Sequence, residues 1–411
     1  MLPELDPIPA LAPFDYQPRT RVVFGVNSVE RVGELAKSIG AGKVLLVTDR
    51  GLVSAGHAGR VQALLQTAGI EVTCFDHARE NPTTQCVERC VEVARGAAID
   101  TIVGLGGGSS MDTAKGCNFI LTNGGQMKDY WGIGRATRPM LPLLAIPTTG
   151  GTGSECQSFA LITDEQTHQK MACGDPKAAA RIALLDPALT LSQPTRVTAC
   201  SGIDALAHAL ETLVTKRRTP LSLIFSREAF RLIIAGLPRV LASPADLEAR
   251  GWMLLGAAWA GTAIENSMLG ATHSAANPLT AHFGIVHGQA VGMMLPHVVR
   301  FNTPDPLSAQ TYAGLACSTH LASPSQAPAA ASESLARRLE QLLDLAGMPR
   351  SLKNFGIQEK DLPRLAQDAA GQWTAQFNPR PVAAADFLEI YGSAHDERPD
   401  PQTLHTYGRP H

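Results

Sequence analysis

A chain of 411 residues with 45% hydrophobic and 18% charged side chains is long enough to bury two domain cores. Its formal net charge of -2 provides no basic field for nucleic acid or an anionic membrane surface, which leaves small-molecule chemistry. Eight cysteines without a C-x-x-C pair, an N-terminus with acids and prolines where a secretory signal is basic then apolar, and no uncharged apolar run of about 18 residues predict a soluble cytoplasmic protein with reduced thiols.

Helical and strand-like stretches alternate through the first half. SVERVGELAKSIG leads into KVLLVTD, AGRVQALLQTAG into EVTCFD, and TQCVERCVEVARGA into DTIVGLGGGSS, while LPLLAIPTT and ARIALLD supply later strands. This alternation predicts an α/β domain over residues 1–193, a parallel sheet wrapped by helices. Beyond about residue 195, the Ala/Leu-rich segments CSGIDALAHALETLV, LSLIFSREAFRLIIAGL and SESLARRLEQLLDLAG predict an all-helical domain over 194–411, with the joint in PALTLSQP. Leu321 to Ser332 reads as a loop, and the polar tail from His395 as an extended arm.

Three polar elements punctuate the first domain. Asp49 ends VLLVTD, where an acid can accept both ribose hydroxyls of a nucleotide and repel a 2'-phosphate, favouring NAD over NADP; a turn-starting Asp is the plainer reading. GLGGGSSMDTAK follows a strand, and its Gly106, Gly107 and Gly108 permit close backbone approach, with Ser109 placed to cap a helix whose free amides attract a phosphate. The spacing is not G-x-G-x-x-G, and a tight turn would use the same residues. PTTGGTGSE offers hydroxyls and amides to a cofactor, or forms a structural loop.

The helical half carries ligand-type side chains. Asp204 and His208, four apart in GIDALAHALE, project from one helix face and can hold one ion, although a capping Asp beside a surface His has the same spacing. With His273 and His287 they make three imidazoles and one carboxylate, a set that suits Fe(II) or Zn(II) and is poor for Mg(II) or Ca(II).

Taken together, GLGGGSSMDTAK, IPTTGGTGSE, FALITDE, GIDALAHALE, IENSMLGATH and VHGQAVGMMLPHV resemble successive signatures of the iron-containing (group III) alcohol dehydrogenases, over roughly Arg21 to Asn302. The resemblance implies a Rossmann-like dinucleotide-binding domain, then a helical domain, with the active site in the cleft between them. It implies NAD rather than NADP, and one divalent metal, Fe(II) favoured and Zn(II) possible, on Asp204, His208, His273 and His287. Gly106, Gly107, Gly108 and Ser109 would take the pyrophosphate, while Thr148, Thr149, Thr152 and Ser154 would line the cofactor. Asp49 would meet the adenosine ribose, with Asp112, Lys170 and Leu189 as further neighbours. The implied reaction is reversible hydride transfer between NAD and a small primary alcohol or aldehyde, in a homodimer or larger homo-oligomer. Glycerol-type dehydrogenase and hydroxyacid-oxoacid transhydrogenase are alternatives on the same fold, and an inactive NAD-binding paralogue is another. Asn266, Trp259 and Phe159 would line a substrate pocket, unless the aromatics pack a core.

In one place the chain departs from the pattern. Many family members read H-x-x-x-H, with the second His near the substrate and a proton-relay role, where this chain has His273 and then Asn277. An amide does not titrate, so Asn277 can only orient or hydrogen-bond. His282, five residues on, would point elsewhere on a regular helix and is expected to be a bystander.

Overall fold

The computed structural model describes residues 13–167 and 169–397. Its first half runs through β1 (Arg21–Phe24), α1 (Val32–Ser38), β2 (Lys43–Val47), α2 (Arg50–Ser54), α3 (His57–Thr67), β3 (Glu71–Phe75), α4 (Thr84–Ala97), β4 (Thr101–Gly106) and α5 (Gly108–Asn123). The short β5 (Gly132–Ile133), β6 (Leu143–Pro147), β7 (Phe159–Thr163), β8 (Lys170–Gly174) and β9 (Ile182–Leu185) follow.

Alternating side chains explain why these strands form the centre of a layered unit. Val44 and Leu46 of β2 join α1 and α3 in one apolar cluster, while Leu45 and Val47 join α4 and α5 in another. Burying each such side chain is worth about 1.5–3 kcal/mol. The main sheet has the order β1-β9-β6-β4-β2-β3, and all its pairs are parallel. Because β2 and β4 are neighbours although β3 lies between them in sequence, the chain reverses direction across the sheet there. Such a switch point is where open α/β sheets receive ligands, and Asp49 and the Gly-rich turn both leave strand ends at it. A smaller sheet, β5-β8-β7, contains an antiparallel β7–β8 pair that the expected element order does not include.

The second half consists of α6 (Thr195–Val214), α7 (Pro220–Ala242), α8 (Leu247–Glu265), α9 (Ala271–Phe283), α10 (His287–Asn302), α11 (Pro306–Ser318), α12 (Pro328–Leu345), α13 (Leu362–Ala370) and α14 (Ala384–Asp396). No strand follows β9 among the described residues. The loop expected over Leu321 to Ser332 is shorter, because α12 starts at Pro328, whose missing N–H costs nothing in a first helical turn. His395 is buried within α14 instead of opening an arm, and the tail beyond residue 397 lies outside the described residues.

A single cut between residues 193 and 194 does not describe the compact units. One holds Gln17–Pro194 together with Ser243–Glu265; among the described residues the other holds 13–16, Thr195–Ala242 and 266–397. Helix α8 therefore belongs with the α/β unit, packing on the turns Ser154–Cys156 and Pro187–Thr190. Its periodicity shows that it is a buried helix but carries no information about which core receives it.

Candidate functional site

Helical spacing puts Asp204, His208 and Glu211 on one face of α6. His273 enters from the first turn of α9, and His287 is the first residue of α10. A Cβ on Gly288 would overlap the Cys200 carbonyl of α6, so glycine here lets the start of α10 lie against α6 and brings His287 to the same place. From Asp204 Oδ1, the Nε2 atoms of His273, His208 and His287 lie at 3.3, 3.6 and 3.7 Å. The His208 and His273 rings stack with centroids 4.8 Å apart.

These residues fit a cation. Ligand atoms around a tetrahedral ion, each about 2.1 Å from it, lie about 3.4 Å from one another, close to the separations observed. Asp204 Oδ1 and His273 Nε2 are buried without a hydrogen-bond partner, an arrangement that is costly unless something electropositive takes the oxygen and the nitrogen lone pair. Asp204, His208 and His273 form the tight group, with ligand atoms all within 4.8 Å of one another. His287 reaches the same carboxylate from a position that is 25% exposed.

The electrostatics follow from this crowding. Burial alone would raise the Asp204 pKa, but His208, His273 and His287 outweigh it and hold the carboxyl well below the usual range. Burial likewise opposes charge on His273, yet Glu211 and Asp204 raise it to about 9, so a proton takes Nε2 whenever no cation does and a cation would displace it. Glu211 is a site residue that the motif reading missed. Its Oε2 lies 2.5 Å from His273 Nδ1, and its Oε1 accepts the Thr272 N–H at 2.6 Å. The available signal was its position seven residues after Asp204, on the same helix face.

Asn277, one turn after His273 on α9, donates from Nδ2 to Gln372 Oε1 at 3.0 Å. His282 sits 2.6 Å from Asp368 and 3.4 Å from Arg364, and is not part of the cluster around Asp204.

In the α/β unit, β4 ends at Gly106 with φ +146°, and Gly107 is the N-cap of α5 with no side-chain cap. The expected cap, Ser109, is the second residue of the helix, because the extended backbone of Gly107 starts the helix earlier. No N-cap side chain therefore covers the first-turn amides, the backbone arrangement that phosphate-binding helix ends share. A Cβ on Gly107 would lie 3.3 Å from Thr149, and one on Gly108 would lie 2.7 Å from Thr152, so the second loop closes on the glycine turn. Thr148 N–H donates to the Gly106 carbonyl at 3.0 Å.

Other expected cofactor neighbours are occupied internally. The Ser154 hydroxyl donates to Asp112 Oδ1 at 2.9 Å and accepts from Lys115 Nζ at 2.9 Å; Lys115 also bonds the carbonyls of Ser154 and Phe159. Burial pushes Asp112 up and Lys115 down, each countered by the other. Asp112 and Ser154 therefore tie the loop to α5 through Lys115, the last residue of GLGGGSSMDTAK. Leu189 is a buried member of the α/β core, on the 3-10 turn at Pro187–Thr190. Lys170 is exposed at the start of β8. Asp49 caps α2, accepting the Leu52 N–H at 3.0 Å. Phe159, Trp259 and Asn266 are half-buried.

Comparison with known proteins gives the family of the chain. The family model for iron-containing alcohol dehydrogenase matches residues 18–187, and that for the Fe-containing alcohol dehydrogenase family, C-terminal, matches residues 198–395. The chain is 36% identical over 374 residues to the NAD-dependent methanol dehydrogenase of Bacillus methanolicus, covering 90% of this chain and 97% of that protein. It is 33% identical over 383 residues to 1,3-propanediol dehydrogenase of Citrobacter freundii, covering 93% and 98%. A crystal structure of 1,3-propanediol oxidoreductase superposes with a TM-score of 0.90 at 32% identity, over 93% of this chain and 100% of that one. The chain belongs to the iron-containing alcohol dehydrogenase family.

Proposed function

We propose that this protein is an NAD-dependent, metal-requiring dehydrogenase that interconverts small primary alcohols or diols with their aldehydes. The observation carrying this reading is the buried Asp204 Oδ1 faced by three imidazole nitrogens at 3.3–3.7 Å. Asp204, His208, His273 and His287 would hold one divalent cation, Fe(II) in preference and Zn(II) otherwise. When bound, the cation supplies Lewis acidity toward an alcohol or carbonyl oxygen, and the nicotinamide accepts or donates the hydride.

The chain's own residues bind and orient. Gly106, Gly107, Gly108 and the open end of α5 receive the pyrophosphate, with Thr149 and Thr152 beside them, and Asp49 at the switch point meets the adenosine ribose. Asn277 cannot carry a proton, so it orients substrate or water through its amide. The relatives named for methanol and 1,3-propanediol support short alcohols and diols as the substrate class. The same reading makes the enzyme a cytoplasmic homo-oligomer; among the described residues no helix is long and apolar enough to cross a membrane.

The test is a panel of short alcohols, 1,2- and 1,3-diols and hydroxy acids, run with NAD and NADP on Fe(II)- and Zn(II)-loaded protein. Stoichiometric NADH release from an alcohol is expected. Turnover only when an oxoacid is added would make the enzyme a transhydrogenase, and NAD binding without turnover on any substrate would remove the enzymatic reading.

A further inference from the structure

We infer that Glu211 is a positioning residue that sets the tautomer and orientation of His273, so that the Nε2 lone pair is presented beside Asp204. The inference rests on the metal reading of the Asp204 cluster and deepens it. Glu211 is 5% exposed, and its two oxygens have separate tasks. Oε1 accepts the backbone N–H of Thr272 at 2.6 Å, and Oε2 meets His273 Nδ1 at 2.5 Å. A carboxylate with these two partners can only accept, so Nδ1 must bear a hydrogen and a neutral His273 must keep its lone pair on Nε2. Nε2 is the atom that faces Asp204 Oδ1 at 3.3 Å and has no hydrogen-bond partner.

The location strengthens the case. The N-cap of α9 is Gly270, which has no side chain to cap the helix, so its first amides are met from elsewhere, Ala271 N–H by Asn378 Oδ1 at 3.3 Å and Thr272 N–H by the Glu211 carboxylate at the positive end of the dipole. Glu211 thus fixes the end of α9 to α6, the helix that carries Asp204 and His208, and fixes the ring within that end. An outer carboxylate of this kind holds a ligating histidine in one orientation and raises its basicity.

An isosteric substitution separates ring positioning from helix capping. In Glu211→Gln the amide oxygen can still accept from Thr272, but the amide NH2 then faces Nδ1 and forces the hydrogen of neutral His273 onto Nε2, where it blocks coordination. Turning the amide over instead sets NH2 against the Thr272 N–H. The experiment is Co(II) affinity by chelator competition, with the Co(II) ligand-field spectrum, on the full chain and on Glu211→Gln, with melting of both metal-free proteins alongside. The expected result is Co(II) binding about 10- to 100-fold weaker with an altered spectrum. Equal Co(II) affinity in the two proteins, whatever the melting temperature, overturns the inference and reduces Glu211 to a cap.

A second measurement needs no variant: nitrogen-15 NMR of Zn(II)-loaded protein should show a hydrogen on His273 Nδ1, and a bare Nδ1 overturns the inference. If the unsubstituted protein retains neither Co(II) nor Zn(II), the metal reading itself falls and the inference with it, an outcome distinct from equal binding by both proteins.

Discussion

Asp204 is the common partner of three imidazoles, and the residue-scale predictions begin with it. Asp204→Ala leaves the histidines without the anion that gathers them, so bound cation should fall from about one per chain to near zero. Turnover should fall at least roughly 100-fold, the scale of losing one electrostatic stabiliser. NAD affinity should be little changed, because the Gly-rich turn is untouched. Metal analysis and a fluorescence titration of NAD check both halves, and parental metal content in the variant would remove Asp204 from the ligand set. Asn277 provides a second prediction at this scale. Asn277→His should introduce an ionisation near the ordinary histidine value of about 6.5 into the pH profile of hydride transfer, and cost about 1 kcal/mol for the lost Gln372 bond. Superimposable profiles would show that this position does not handle protons. The pairing of Asp204 with His208 was legible from their four-residue spacing, and His273 and His287 from residue type and motif. Glu211 was not, because a carboxylate seven residues along a helix is common and its partner lies on α9.

At the scale of elements, close backbone approaches decide where functional side chains stand. Gly288→Ala would drive a Cβ into the Cys200 carbonyl, so α10 must shift away from α6 and carry His287 with it. Destabilisation of about 1–3 kcal/mol in chemical unfolding is expected, with weakened metal retention. A stability loss with unchanged metal affinity would mean that His287 is dispensable. In the α/β unit, Gly108→Ala would press on Thr152 and narrow the approach to the first turn of α5. Its NAD dissociation constant should rise about 10-fold, equivalent to about 1.4 kcal/mol, while metal content stays at one per chain. An unchanged constant in calorimetry would make the glycine turn purely structural. The alternation of strands and helices was readable here, as was the glycine run after β4. The start of α5 was not: a serine after glycines looks like a cap, and only the extended backbone of Gly107 puts the cap earlier.

At the scale of the whole molecule, burial of one acid gives stability a pH dependence. Glu155 is 1% exposed, and burial lifts its pKa from 4.5 to about 7. The folded state therefore binds more protons than the unfolded chain between those values. The associated stability is fully present below 4.5 and is lost as pH rises through about 7. Ionisation above that range costs roughly 3 kcal/mol, so Glu155→Gln should gain on the parent protein by up to that amount as pH is raised from 5 to 8. Thermal melts across that range test it, and a constant difference would clear Glu155 of the effect.

Local periodicity and residue chemistry were enough, in the sequence alone, to specify the parallel α/β half, the helical half, the glycine turn and the Asp204–His208 pair, because each is encoded within a turn or a few residues, whereas His273 and His287 joined that pair only through the family resemblance. Tertiary structure decided what depends on distant partners. It assigned α8 to the α/β unit, paired β7 with β8, and turned Asp112 and Ser154 inward to Lys115. It also placed Glu211 of α6 on His273 of α9. These arrangements arise from packing and hydrogen bonding between segments far apart in the chain, and no repeat or spacing within either segment specifies them.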